Sequence, residues 1–178
     1  NLKVVLEPFE RGFGYTIGHS LRRILLSYMP GAAVTEVKIE GVAHEYGTIE
    51  GVKEDILDIL LNLKDMAIKL DGSNEAELKL DIKTPKTILA SDLEVPAGVE
   101  IIDPNHVIAT LVEPKKLVMT LKVCTGVGYE PAENNQNKGV DSLHLDAIFS
   151  PVKRVNYKVE NTRVENRTDL DKLILELE

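Results

Sequence analysis

Three glycines, Gly12, Gly14 and Gly18, punctuate the stretch ERGFGYTIGHSLRRILL at residues 10–26. An apolar run precedes them and a helical pattern follows, the setting in which a glycine-rich loop cradles a phosphate. A dinucleotide loop needs G-x-G-x-x-G, with an acidic residue closing the next strand. Here the spacing is G-x-G-x-x-x-G, and Glu40 is an imperfect candidate for the acid. A Walker loop would need Gly-Lys-Ser/Thr, which is absent. The spacing therefore argues against a nucleotide-binding enzyme. In the simpler reading, Gly12 and Gly14 relax a turn and Thr16 caps a helix.

Other reactive residue types are sparse. Cys124 is the only cysteine. It permits no internal disulfide, which fits a reducing, cytoplasmic setting. It sits in a β-like run with no histidine nearby in sequence, so no nucleophile–base pair is visible. His19, His44, His106 and His144 are widely separated and give no zinc spacing. Glu54, Asp55 and Asp58 fall on the polar side of a predicted helix, where they solvate it and complement its dipole. Asp169 and Asp171 follow Arg167-Thr168 in a turn-like or capping context. None of these carboxylates has a ligand pattern around it. We therefore expect no catalytic, cofactor-binding or metal-binding residue in this chain.

The totals narrow the class further. A length of 178 residues suits one large domain or two small ones, and 43% hydrophobic content is enough for a packed core. A net charge of −8 repels nucleic acid, and 4% aromatic content leaves little for base stacking. No apolar run is long enough to span a membrane. Residues 1–7 look like a strand rather than a secretory leader.

The elements follow from periodicity. Leu2–Glu7 is β-like and stops at Pro8. Apolar residues at 17, 21, 24, 25 and 28 make a helical stripe over 16–28, ended by Pro30-Gly31. Val34–Glu40 is strand-like. Thr48–Lys64 reads as a second helix with Val52, Ile56, Ile59, Leu60 and Leu63 on its inner face. Short β-like pieces follow at 75–82, 99–102, 107–112 and 117–123. Residues 130–139 read as an exposed loop. Val152–Val159 and Leu173–Glu178 close the chain as strands.

On the first helix, Ile17, Leu21, Ile24, Leu25 and Tyr28 form the core stripe. His19, Arg22, Arg23 and Leu26 fall opposite it. An arginine–leucine mixture there has the composition of a protein interface, although single exposed leucines are also ordinary on surfaces.

Three longer stretches, FERGFGYTIGHSLRRILLSYMPG (9–31), HEYGTIEGVKEDILDILLNLK (44–64) and NRTDLDKLILELE (166–178), closely resemble the amino-terminal domain of the bacterial DNA-directed RNA polymerase α subunit. The resemblance implies an α+β fold, with a two-part dimerisation subdomain at 1–30 and 151–178. A β-rich α+β subdomain is inserted at 31–150. It implies a non-catalytic assembly subunit that dimerises with an identical or paralogous α and carries the β and β′ subunits in transcription. Magnesium belongs to the large subunits, and the complex is cytoplasmic and nucleoid-associated. The helix at 16–28, with Ile17, Leu21, Ile24, Leu25 and Tyr28, matches the family's α–α dimer helix; Arg22, Arg23 and Leu26 match β-docking positions; Lys64 and Leu145 match β′-contact positions. The family's long C-terminal helix, linker and DNA-binding domain lie outside these 178 residues, so no direct DNA contact is expected of this segment. Loop 130–139 carries only Glu130 and Glu133 where some relatives have an acidic run for activators. A stand-alone dimeric scaffold with other partners is the alternative.

Overall fold

The computed structural model describes residues 1–135 and 142–178. It is mostly β-structure, with two α-helices among the described residues. In chain order the elements are β1 (Leu2–Phe9), α1 (Phe13–Ser27), β2 (Pro30–Ile39), α2 (Ile56–Lys64), β3 (Ile68–Leu70), β4 (Glu75–Ile82), β5 (Lys86–Leu89), β6 (Val99–Ile101), β7 (Val107–Leu111), β8 (Leu117–Val127), β9 (Tyr129–Glu130), β10 (Leu143–His144), β11 (Ala147–Ile148), β12 (Val155–Val164) and β13 (Arg167–Leu177). The chain divides into two compact units, Asn1–Pro30 with Ser150–Glu178, and Gly31–Phe149.

The first unit is α1 laid on an antiparallel sheet ordered β1-β13-β12. Alternation puts Asp171, Leu173 and Leu175 of β13 on the helix side, with Tyr157 and Val159 of β12 in register beside them. Leu173 and Leu175 are buried, and Val4 and Leu6 of β1 pack against the same cluster. The other face is charged, with cross-strand neighbours such as Lys172 and Glu7 in an ion pair.

Glycine decides how α1 sits. Gly14 and Gly18 are its buried residues. A Cβ at Gly18 would stand 2.6 Å from Tyr157 and 2.9 Å from Leu173; one at Gly14 would stand 2.9 Å from Val159. The backbone thus touches the sheet directly. The stripe facing the sheet is Gly14–Gly18–Leu21–Leu25, flanked by Ile17. Hydrophobic periodicity gives glycine no weight and so rotates the expected stripe toward Ile24 and Tyr28, which the structure leaves 48% and 59% exposed.

The start of α1 also differs from expectation. Thr16 does not cap it; its hydroxyl donates back to the Gly12 carbonyl at 3.4 Å. The cap comes from the far end of the chain. Asp171, only 5% exposed, accepts hydrogen bonds from the Gly12 N–H at 2.8 Å and the Gly14 N–H at 3.1 Å. Two of the helix's orphan donors are thereby satisfied, and the carboxylate lies at the positive end of the dipole. Gly12 turns the chain with φ +89°, which a Cβ would strain. Arg167 makes a second tie, donating twice to the Glu10 carboxylate at 2.8 Å. That pair is exposed, so its contribution is small beside the buried cap.

The second unit has its own core. Its main sheet runs β4-β8-β2-β3-β6, with β10 also paired to β2. β4 (EAELKLDI) alternates so that Leu78, Leu80 and Ile82 point inward opposite Leu121, Met119 and Leu117 of β8. Smaller ladders join β5 to β7 and β9 to β11. Helix α2 buries Ile56, Ile59, Leu60 and Leu63. It is half as long as periodicity predicts. Gly51 has φ +86°, and the Glu54 carboxylate accepts the Thr110 N–H at 2.6 Å. Val52 bridges to Leu111. Residues 48–55 are therefore held as extended and turning backbone, with Val52 inward for a reason other than helical pitch. The loop expected at 130–139 begins in the β9 ladder at Glu130 and a 3-10 turn at Ala132–Asn135; residues 136–139 lie outside the described residues.

Two substitutions test the seating of α1. Asp171→Ala should lower stability by about 1–3 kcal/mol, the cost of a lost cap that leaves the buried Gly14 N–H unmet. Gly18→Ala should cost about 1–3 kcal/mol through overpacking. Denaturant midpoints measure both; wild-type midpoints for either would refute the seating described.

Candidate partner-binding surfaces

On α1 the roughly 100° advance per residue separates two flanks on either side of the sheet-facing stripe. One flank carries Phe13, Ile24 and Tyr28, exposed at 58%, 48% and 59%. The other carries His19, Arg22 and Arg23, all exposed, with Leu26 beside them. Leu26 is the correction here. It does not stand opposite the core; it is half-buried and packs on the cluster formed by Val155, Leu173 and Leu175. Because the glycine stripe lies rotated from the apolar one, Leu26 comes round to the edge of the sheet contact. Arg22 and Arg23 remain the outward groups of that flank.

In the second unit the residues expected at a β′ contact part company. Lys64, the last residue of α2, keeps its side chain 27% exposed and reaches the Asp146 carboxylate at 3.7 Å. Leu145 is 5% exposed and belongs to the core. Its side chain is not offered to a partner. The expectation rested on matched position alone, and the alternation of Leu143, Leu145 and Ala147 points all three inward.

Sequence reasoning missed what surrounds Lys64. Asp146 accepts the Ala132 N–H at 3.0 Å and a bond from the Tyr129 hydroxyl. The Ala132 N–H, more than Tyr129 or Lys64, holds this carboxyl below the usual carboxylate range. Tyr129 and Ile148 are cross-strand partners, 59% and 52% exposed, at the edge of this polar group. The signal was faint: a two-residue strand on each side is below what alternation detects.

The fold also brings together Cys124 and His144, which the sequence keeps 20 positions apart. With Thr35, Glu36, Glu75, Lys122 and Glu130 they line a cavity of about 130 Å³. The Thr35 hydroxyl lies 3.5 Å from the Cys124 sulfur. Among the described residues, no group of three or more His, Cys, Asp or Glu side chains is arranged to hold a metal ion. No described helix is long and apolar enough to cross a membrane.

Residues 37–150 match the family described as the RNA polymerase Rpb3/RpoA insert domain. The chain belongs to this family. The match spans most of the second unit, including α2, Lys64 and the β9–β11 ladder. It makes the chain a domain of an RNA polymerase subunit, a component of an enzyme complex in DNA-directed transcription whose role is assembly with other polymerase subunits.

The two flank residues of α1 should behave differently in the isolated chain. Leu26→Ala should lower stability by about 1–2 kcal/mol through lost burial. Arg23→Ala should stay within about 0.5 kcal/mol of wild type. Thermal unfolding compares them; equal effects would remove the distinction.

Proposed function

We propose that this chain is a non-catalytic assembly subunit of a bacterial-type DNA-directed RNA polymerase. The observation that carries the reading is the insert-domain match over residues 37–150. The shape of α1 supports it. A helix that meets its own sheet through glycines keeps its large side chains for other surfaces. The Phe13–Ile24–Tyr28 flank suits a second α copy or a paralogue, because exposed aromatic and aliphatic groups are the usual centre of such contacts. The Arg22–Arg23 flank, edged by Leu26, suits the β subunit, arginine being a frequent anchor. Lys64 suits β′.

The dimer has two equal outer patches, and one copy meets β while the other meets β′. A two-fold pair thus nucleates an asymmetric machine. The dimer interface should bury more than about 1,000 Å² in total. Catalytic magnesium belongs to the large subunits, and the complex works in the cytoplasm with the nucleoid. The outer domain comprises 1–30 and 151–178 and is the dimerising part. No DNA contact comes from this segment.

The test is capture of purified β by the tagged chain. Arg23→Ala should weaken capture by about 2 kcal/mol or more while leaving unfolding unchanged. Ile24→Glu should convert the dimer to monomer in sedimentation. Undiminished capture would end the docking assignment, and an unchanged dimer would end the dimer assignment.

A further inference from the structure

We propose that Tyr15 is a further anchor on the α1 flank assigned above to the β subunit, and that the surface it meets carries carboxylates. This rests on that assignment and adds an anchor and the chemistry of the partner. At about 100° per residue, Tyr15, His19, Arg22 and Leu26 fall within about 60° of arc. Their spacing of 4, 3 and 4 residues places them in one continuous row along the helix. Leu26, half-buried against the sheet, is the floor of the row, and Tyr15, 60% exposed, stands at its amino-terminal end. The Tyr15 hydroxyl makes no hydrogen bond among the described residues. An exposed ring with a free hydroxyl, in line with an arginine, has the composition of an interface centre, where Tyr and Arg are enriched.

Charge separates this flank from the other. Helix α1 (FGYTIGHSLRRILLS) contains no Asp or Glu. Arg154 and Arg167 meet carboxylates of their own unit, Glu178 at 2.9 Å and Glu10 at 2.8 Å. Arg22 and Arg23 form no ion pair among the described residues, although the chain carries a net charge of −8. Their positive charge is uncompensated where acid is otherwise plentiful, and a partner that brings carboxylates complements it. A second copy of this chain does not. A two-fold contact sets each patch against itself, so arginine would face arginine. The Phe13–Ile24–Tyr28 flank holds no charged side chain and meets no such repulsion. The charge pattern thus keeps the two flanks for different partners.

Capture of purified β by the tagged chain tests this, with sedimentation of the chain itself as the second readout. Tyr15→Ala should weaken capture about 10-fold, the size of a significant interface residue. Its thermal unfolding should match wild type, because the side chain is exposed. Tyr15→Phe should recover most of the loss, the ring being the larger part of the contact. Arg22→Gln should weaken capture about 5-fold, and Arg22→Glu about 10-fold further, since reversal sets like charges together. Neither should alter the dimer. Added salt should weaken wild-type capture more than capture by Arg22→Gln. Undiminished capture by Tyr15→Ala would remove the anchor, and equal capture by Arg22→Gln and Arg22→Glu would remove the carboxylate-bearing partner surface. A changed dimer with unchanged capture would give the flank to a second copy. Normal capture by Arg23→Ala, Tyr15→Ala and Arg22→Glu alike would end the docking assignment itself. Weakened capture by Arg23→Ala alone would leave that assignment and overturn only the anchor and the partner's charge.

Discussion

A single buried carboxylate, Asp171, joins residues 159 positions apart and sets the geometry of the first unit. Helix α1 has no acidic residue in its first turn, and its N-cap position is Gly12, which has no side chain. Its orphan N–H groups and the positive end of its dipole must therefore be met from outside. β13 supplies that group from the centre of the sheet. Once the turn is held there, Gly14 and Gly18 allow backbone-to-sheet approach, and the rotation of α1 about its axis is fixed. Which side chains face outward is a consequence of that rotation rather than of hydrophobic pattern. Replacing the exposed Arg167–Glu10 tie would not do the same work, because a solvated pair neither fills the space beside Gly14 nor reaches the helix donors.

The parts legible in the sequence were those governed by local repetition. β4 shows its alternation in eight residues, and its bounds of 75–82 can be read directly. The inner face of α2 from Ile56 to Leu63 follows from helical pitch. What escaped was governed by contacts distant in sequence. The Glu54–Thr110 bond and the Val52–Leu111 bridge, which hold 48–55 out of the helix, join segments more than 50 residues apart. Asp171 read as a turn residue because nothing near it in sequence announces a helix waiting to be capped. Strand pairs as short as β9–β11 have too few residues to show a period.

The candidate surfaces divide along the same line. Arg22 and Arg23 are outward because the seating of α1 turns their flank to water, where a charged side chain is favoured. Leu26 and Leu145 failed as outward groups because an apolar side chain is free to turn inward once a sheet edge or a core passes near it. Matched position alone does not tell an exposed side chain from a buried one.

Small residues and long reach explain how one short helix can pack on its sheet and still leave large side chains on two flanks. A 15-residue helix packed through leucines on all its contacts would commit much of its apolar area to its own sheet. Here the closest contacts are made by two glycines, which bring the backbone near while contributing almost no side-chain area. The sheet is satisfied by Leu21, Leu25 and the edge of Leu26, and the remaining aromatic, aliphatic and arginine side chains are left on two separate flanks. Exposing Phe13, Ile24 and Tyr28 to water is unfavourable for a solitary chain, by an amount that grows with the apolar area left uncovered. Covering that flank would remove the penalty. The same packing that places α1 so close to its sheet therefore leaves an apolar flank whose burial against another surface would be favourable.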